Sequence, residues 1–310
     1  MQPRIEGKLN SVKTLSIVGM CKNAGKTTVL NRLLSQYGRR RTLALTSIGR
    51  DGESTDVVTG TEKPGIFVPQ GTLIATAKDM LRLCDVTKEI LYTTGIPTPL
   101  GEVVLFCARS DGWVQLAGPS IVSQLRTVSD LFFSFGASQV VIDGALGRKS
   151  LGARSVADGI ILSTGASYDM RMEKVVADTA AFCRVLNLKK AKTLPEPFDG
   201  TLKDAFTAYH EARITGALTE AAVVPLLKSG VLKNGRLVVQ DPSKVLLGAE
   251  VLERLAARAV ALETEDAAET LCVTVNPVSA YGWKFDPAAF RDAMAAAVDV
   301  PVINVKEDAL

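Results

Sequence analysis

The segment Val18-Gly-Met-Cys-Lys-Asn-Ala-Gly-Lys-Thr-Thr-Val-Leu30 constrains this chain most, because an apolar run from Thr14 to Val18 precedes it and a helical apolar pattern, Val29, Leu30, Leu33 and Leu34, follows. Strand, glycine loop and helix start come in the order a phosphate site needs. Successive backbone N–H groups in such a loop, with the positive end of the helix behind them, present fixed donors to a polyphosphate. Met20, Cys21, Lys22, Asn23, Ala24 and Gly25 form the loop. Lys26 adds a mobile positive charge for the outer phosphates, Thr27 a hydroxyl for a bridging magnesium ion, and Thr28 a second hydroxyl near the inner phosphate. The spacing departs from the Walker A pattern: five residues, not four, separate Gly19 from Gly25, which puts Met20 where the first glycine belongs. The competing reading is a glycine-rich strand-to-helix turn with no ligand. A nucleoside triphosphate is the better expectation, because a matching acidic strand end occurs later.

That strand end is Gln139-Val-Val-Ile-Asp143, an apolar run closed by the carboxylate that the magnesium side of a phosphate site requires. The loop after it, Gly144-Ala-Leu-Gly-Arg-Lys-Ser150, carries Arg148 and Lys149, which either neutralise charge on a transferring phosphoryl group or are surface cations. A second strand, Thr42–Ile48, runs into Gly49-Arg-Asp-Gly-Glu-Ser-Thr-Asp56. Asp51, Glu53 and Asp56 lie there at a strand's carboxyl end, as candidates for holding magnesium or positioning water, with Asp51 first off the strand; the alternative is a solvated turn.

Other stretches set the architecture. Between Lys63 and Ala117 short extended pieces alternate with turns, a hairpin is expected around Ser110-Asp-Gly-Trp113, and the whole suggests an antiparallel edge or flap over the nucleotide. A helix follows Gly118-Pro-Ser120. Ala157–Ser163 reads as a strand whose exit loop, Thr164–Asp169, lies near the base in nucleotide-binding sheets. No Asn-Lys-x-Asp guanine-reading motif occurs there, which favours ATP over GTP. The Lys/Pro/Gly-rich stretch Lys189–Gly200 marks a boundary, giving a nucleotide-binding domain over 1–190 and a smaller α/β domain over 191–310. In the second domain Thr215, Asp241, Lys244, Asn276 and Tyr281 either contact a ligand or partner or supply turn chemistry. The fold class expected is α/β, a mostly parallel sheet flanked by helices.

Composition excludes several classes. A net charge of +3 and no run of like charge beyond Arg39-Arg-Arg41 give no argument for nucleic acid. No stretch reaches the roughly 18 uninterrupted apolar residues of a membrane helix, and the start lacks the apolar core of a signal peptide, so a cytoplasmic location is expected. Five scattered cysteines and a single histidine support neither a zinc site nor a disulfide framework. Cys21 sits in the loop, where a helix N-terminus would favour its thiolate, or it is simply a small side chain that fits.

Taken together, Gly19-Met-Cys-Lys-Asn-Ala-Gly-Lys-Thr-Thr28, Ser47-Ile-Gly-Arg-Asp-Gly-Glu53 and Ile142-Asp-Gly-Ala-Leu-Gly-Arg-Lys-Ser150 resemble the P-loop proteins associated with adenosylcobalamin-dependent amino-acid aminomutases, the KamB-like reactivase subunits of lysine 5,6-aminomutase. The resemblance extends over most of the chain. It implies an ATP-dependent, Mg2+-dependent protein that releases damaged cobalamin from an inactivated aminomutase together with a second, MutS-like subunit. More distantly, the loop is similar to that of the molybdopterin-guanine dinucleotide accessory protein, and Asp143-Gly-Ala to the Glu-Gly-Ala loop of dethiobiotin synthetase. Carried over, Lys26, Thr27 and Thr28 match phosphate-binding positions and Asp143 the metal-side carboxylate. Lys22 falls one place from the signature lysine of MinD-like ATPases, which leaves a role in trans across a homodimer open. Three functions compete: an ATPase that drives a conformational change in a partner, a small-molecule ligase of the dethiobiotin synthetase type, and a nucleotide-dependent scaffold for cofactor insertion.

Overall fold

Long apolar runs with no polar alternation can be satisfied only in a sheet covered on both faces, which is where parallel strands occur. The computed structural model, which describes residues 5–49, 65–144, 156–266, 268–304 and 306, builds those runs into a nine-stranded sheet. Its spatial order is Val302–Asn304, Glu269–Asn276, Gly159–Gly165, Thr14–Gly19, Gln139–Asp143, Leu43–Ser47, Leu73–Ala77, Gly101–Ala108 and Lys88–Thr98. The first seven run parallel, and the last two join antiparallel. Every residue of Thr14–Gly19 and of Gly159–Gly165 is buried.

Two cores sandwich the sheet. On one face Leu15 and Ile17 pack against Leu9 of the helix Glu6–Ser11 and against Leu30, Leu33 and Leu34 of the helix Lys26–Tyr37. The other face buries Val18, Ile142 and Leu162 under Phe132, Val175 and Phe290, from helices Val122–Ser134, Met172–Leu186 and Pro287–Ala297. Phe132 and Phe290 are fully enclosed, so truncating either to alanine is expected to cost about 3–5 kcal/mol. The last of these helices starts on a built cap: Asp286 accepts from the Ala289 N–H at 2.8 Å and proline takes the first turn.

A four-stranded parallel sheet, in the order Lys189–Lys190, Val260–Thr264, Gly235–Val239 and Glu211–Ile214, forms a separate unit with its own core around Phe206, Leu237 and Leu255. It is an insertion rather than a terminal domain. The expected division at 190/191 placed everything afterwards in the second domain, yet Glu269–Asn276 pairs with Gly159–Gly165 and carries Val302–Asn304 beside it. Thr274 and Val275, like their neighbours, are completely or almost completely buried, and only the large sheet offers a partner on each side.

The expected hairpin around Ser110–Trp113 does not form. Gly112–Val114 pairs instead with Ile66–Val68 in a separate two-stranded antiparallel ribbon, while Gly101–Ala108 inserts between Leu73–Ala77 and the edge strand Lys88–Thr98. The Asp111 carboxylate explains the difference. It accepts from the Gln70 N–H at 2.7 Å and from Arg39, so it ties the ribbon to the turn after the helix Lys26–Tyr37 instead of closing a two-residue loop.

Candidate functional site

Strand order reverses at Thr14–Gly19: the strands next in sequence lie on one side of it, while Gly159–Gly165 and the carboxyl-terminal strands lie on the other. In open α/β sheets the crevice outside the carboxyl ends of the strands at such a point is where ligands bind. Gly19, Asp143, Ser47, Gly165 and Asn276 all reach this edge. The register brings Asp143 beside Ile17 and Ser47, and Gly165 beside Asn276.

The loop from Met20 to Gly25 crosses the edge with two residues in the left-handed region, Asn23 at φ 60° and Gly25 at φ 99°. Gly25 is the residue immediately before the helix, and its N-cap position carries no side-chain hydrogen bond. The first-turn N–H groups therefore open outward instead of being sealed by a serine or aspartate. Met20 donates its N–H to the Ser163 carbonyl at 2.9 Å, Ala24 is buried, and the Asn23 carbonyl accepts from the Asn276 side-chain amide at 3.2 Å. The next two strands on one side, Gly159–Gly165 and Glu269–Asn276, thus hold the loop. Lys26 folds back across the strand end: a methyl group on Gly19 would sit 2.8 Å from its Nζ, so any side chain there would displace the lysine. Thr27 is half-buried, and Lys22 and Thr28 are exposed.

Asp143 stands on the next strand. Its Oδ1 is buried without a hydrogen-bond partner among the described residues. Burial raises its carboxyl above the ordinary carboxylate value, and the Lys26 ammonium pulls it partly back. A buried polar atom left unsatisfied costs about 1–3 kcal/mol, and such costs concentrate where a ligand or ion completes the site. The neighbouring loop is held at a distance that leaves no room for a side chain: the Gly118 N–H donates to Ser47 Oγ at 3.0 Å, and a Cβ at Gly118 would fall 1.8 Å from the Ser47 carbonyl oxygen.

Of the two readings of Cys21, a favoured thiolate or a small side chain that fits, the structure supports the second. Burial pushes its thiol up to about 11 despite the favourable charge of Lys26, so desolvation outweighs that charge and the thiolate is disfavoured. Asp51, Glu53, Asp56, Arg148 and Lys149 lie outside the described residues. Among the described residues no three His, Cys, Asp or Glu side chains gather as a metal cluster. Magnesium at phosphate sites is commonly held by one or two side chains with the phosphates and waters, which requires no such cluster.

Beyond the loop lies an open cleft of about 760 Å³ lined by Ser167, Tyr168, Asp169, Met170, Arg171, Tyr281 and Trp283. Tyr168 of its lining packs against the same core as Met20 of the loop. Tyr281 and Trp283 stack with ring centres 5.5 Å apart and planes 22° from parallel. The Trp283 Nε1 donates to the Ala166 carbonyl at 2.9 Å, and the Ala280 N–H to Ser167 Oγ at 3.0 Å, which fixes the aromatic wall to the exit loop. Of the residues open between ligand contact and turn chemistry, Tyr281 lines this cleft, while the Asn276 side chain holds the Asn23 carbonyl and accepts from the Val278 N–H at 3.3 Å. Trp283 gave no sequence signal, since it lies in an irregular loop between a strand and a helix. Asp241 acts as a turn residue, accepting from the Ser243 N–H at 2.8 Å.

Comparison with known proteins finds no matching family model, no matching curated protein and no matching solved structure. Among the described residues no helix is long and apolar enough to cross a membrane. The chain is an α/β protein with a large, mostly parallel sheet flanked by helices, and the order of that sheet reverses at Thr14–Gly19.

Proposed function

We propose that the loop Met20–Thr28 binds Mg·ATP and that the chain is an ATPase whose turnover drives a partner protein, the reactivation of an adenosylcobalamin-dependent aminomutase together with a second, MutS-like subunit. The observation that carries the nucleotide reading is Asp143: a buried carboxylate oxygen with no hydrogen-bond partner among the described residues, in the field of Lys26, one strand from an uncapped helix start. In this reading the backbone N–H groups of the loop would orient the phosphates, Lys26 would supply charge to the outer ones, and Thr27 and Asp143 would hold the metal ion. Bound magnesium would neutralise charge on the β- and γ-oxygens.

The cleft supports ATP over GTP. Tyr281, Trp283 and Met170 offer apolar faces to a purine. A carboxylate that reads guanine must be free to accept from the base, whereas Asp169 already accepts from the Arg171 backbone N–H at 2.9 Å and from its guanidinium at 3.1 and 3.2 Å. Calorimetry with ATP and GTP, with and without magnesium, tests the site. Phosphate release with and without the aminomutase tests the partner. Slow basal turnover stimulated by the mutase is expected. No nucleotide binding at millimolar concentration overturns the site, and phosphate release triggered by a small carboxylic acid instead of the mutase replaces the reactivase with a ligase of the dethiobiotin synthetase type.

A further inference from the structure

A second cavity, of about 470 Å³, opens at the carboxyl end of the helix Met172–Leu186, where that helix meets the helix Ala249–Ala257 and the strand Val260–Thr264 of the inserted unit. Its floor is core: Val185, Leu255 and Val260 are 2%, 2% and 4% exposed and belong to the cluster around Phe206. Its rim is open, with Ala256 and Ala259 exposed. Ala259 holds φ 54°, fixed by its N–H on the Ala256 carbonyl at 2.9 Å and by its own carbonyl, which accepts from the Gly235 N–H at 3.1 Å. That backbone region is costly for any residue but glycine, and such strain gathers where a ligand is clamped.

The wall has one chemistry. Among the described residues that line it there is no aromatic ring and no hydroxyl, amide or carboxylate side chain, so a planar or sugar-bearing ligand would bury polar groups without partners. The volume falls in the range of small-molecule sites, about 300–1,000 Å³, and branched aliphatic walls suit a hydrocarbon body. Arg184 alone among those lining residues is charged. It meets Glu253 only at 3.7 Å, with both side chains more than half exposed, a separation beyond hydrogen-bond range and a contact that contributes little. A carboxylate that took both guanidinium nitrogens would displace Glu253 into solvent and gain the forked geometry the present pair lacks. We propose that this cavity binds an aliphatic carboxylate, with the chain of a medium-length fatty acid on Val185, Leu255 and Val260 and its head group on Arg184. The inference rests on no part of the nucleotide reading.

Calorimetry of the full chain with decanoate, decanol and decyltrimethylammonium, three ligands of one chain length and different head charge, tests it. Decanoate is expected to bind with a dissociation constant of about 10–100 µM, at least about tenfold tighter than decanol, with decyltrimethylammonium weaker still. Arg184→Gln should bring decanoate to the decanol value and leave decanol unchanged. Ala256→Trp, a change at an exposed helix position that fills the mouth of the cavity, should remove binding of both. No decanoate binding up to about 1 mM, which would leave the groove to a protein partner, overturns the assignment. So does equal affinity for decanoate and decyltrimethylammonium, or decanoate binding that both variants leave unchanged.

Discussion

The two parallel sheets handle charge in opposite ways. In the inserted four-stranded sheet, Arg236 is met by Glu211 at 2.7 Å, Glu263 at 3.4 Å and the Thr193 carbonyl at 3.1 Å, and Arg213 forks onto Glu265 at 2.7 and 2.9 Å. Arg213 holds the Glu265 carboxyl below its usual value. At the carboxyl edge of the nine-stranded sheet, burial holds the Asp143 carboxyl above its usual value, and one of its oxygens meets no partner among the described residues. The first arrangement is complete as it stands, and its charges serve the fold. The second is incomplete, and an incomplete buried polar site is kept only where something else finishes it.

Substitutions at both places sharpen that contrast. The largest effect is expected at Lys26: Lys26→Ala should weaken ATP binding at least about 100-fold, about 3 kcal/mol, measured by calorimetry, while the melting temperature moves little. Asn276→Ala comes next. It frees the Asn23 carbonyl and should weaken ATP binding about tenfold, about 1.4 kcal/mol, with intrinsic Trp283 emission reporting the loosened cleft wall. Asp143→Asn removes a buried charge that has no hydrogen bond on one oxygen, so it should stabilise the empty protein by about 1 kcal/mol, read as a higher melting temperature at neutral pH, while magnesium no longer strengthens ATP binding. Arg236→Ala should do the reverse, lowering stability by about 1 kcal/mol because its ion pairs are partly solvated and leaving ATP affinity unchanged. An Arg236 variant that lost nucleotide, or an Asp143 variant that unfolded, would erase the distinction between the two sheets.

The smallest effect is expected at Cys21, where Cys21→Ser should shift ATP affinity less than twofold. Its thiol lies near about 11, above the ordinary thiol value, and the thiolate is the reactive form. Alkylation should therefore be slow at pH 8, where roughly one molecule in a thousand carries the thiolate, and should climb about tenfold per pH unit towards pH 11. Rapid labelling at pH 7 would show that Lys26 dominates burial after all.

How far the sequence disclosed this molecule depended on the reach of each interaction. Thr14–Gly19, the loop and the helix from Lys26 are contiguous, and Asp143 closes an unbroken apolar run, so local pattern sufficed for them. Glu269–Asn276 was also recognisable as a strand, but its partner Gly159–Gly165 lies more than a hundred residues earlier, and no periodicity carries that information. Asp111-Gly112 has the composition of a tight turn, and only the fold shows its carboxylate committed to Gln70 and Arg39. The edge strand Lys88–Thr98 is interrupted by two register shifts and by Pro97, so it shows no regular alternation.

The bond from Asn276 to the Asn23 carbonyl spans 253 positions in sequence. During synthesis the loop near the amino terminus emerges early, yet one of its supports arrives only when nearly all of the chain has left the ribosome. Until then Gly159–Gly165 presents an unpaired strand edge, so any truncation before residue 269 yields a sticky, half-built sheet rather than a smaller working protein.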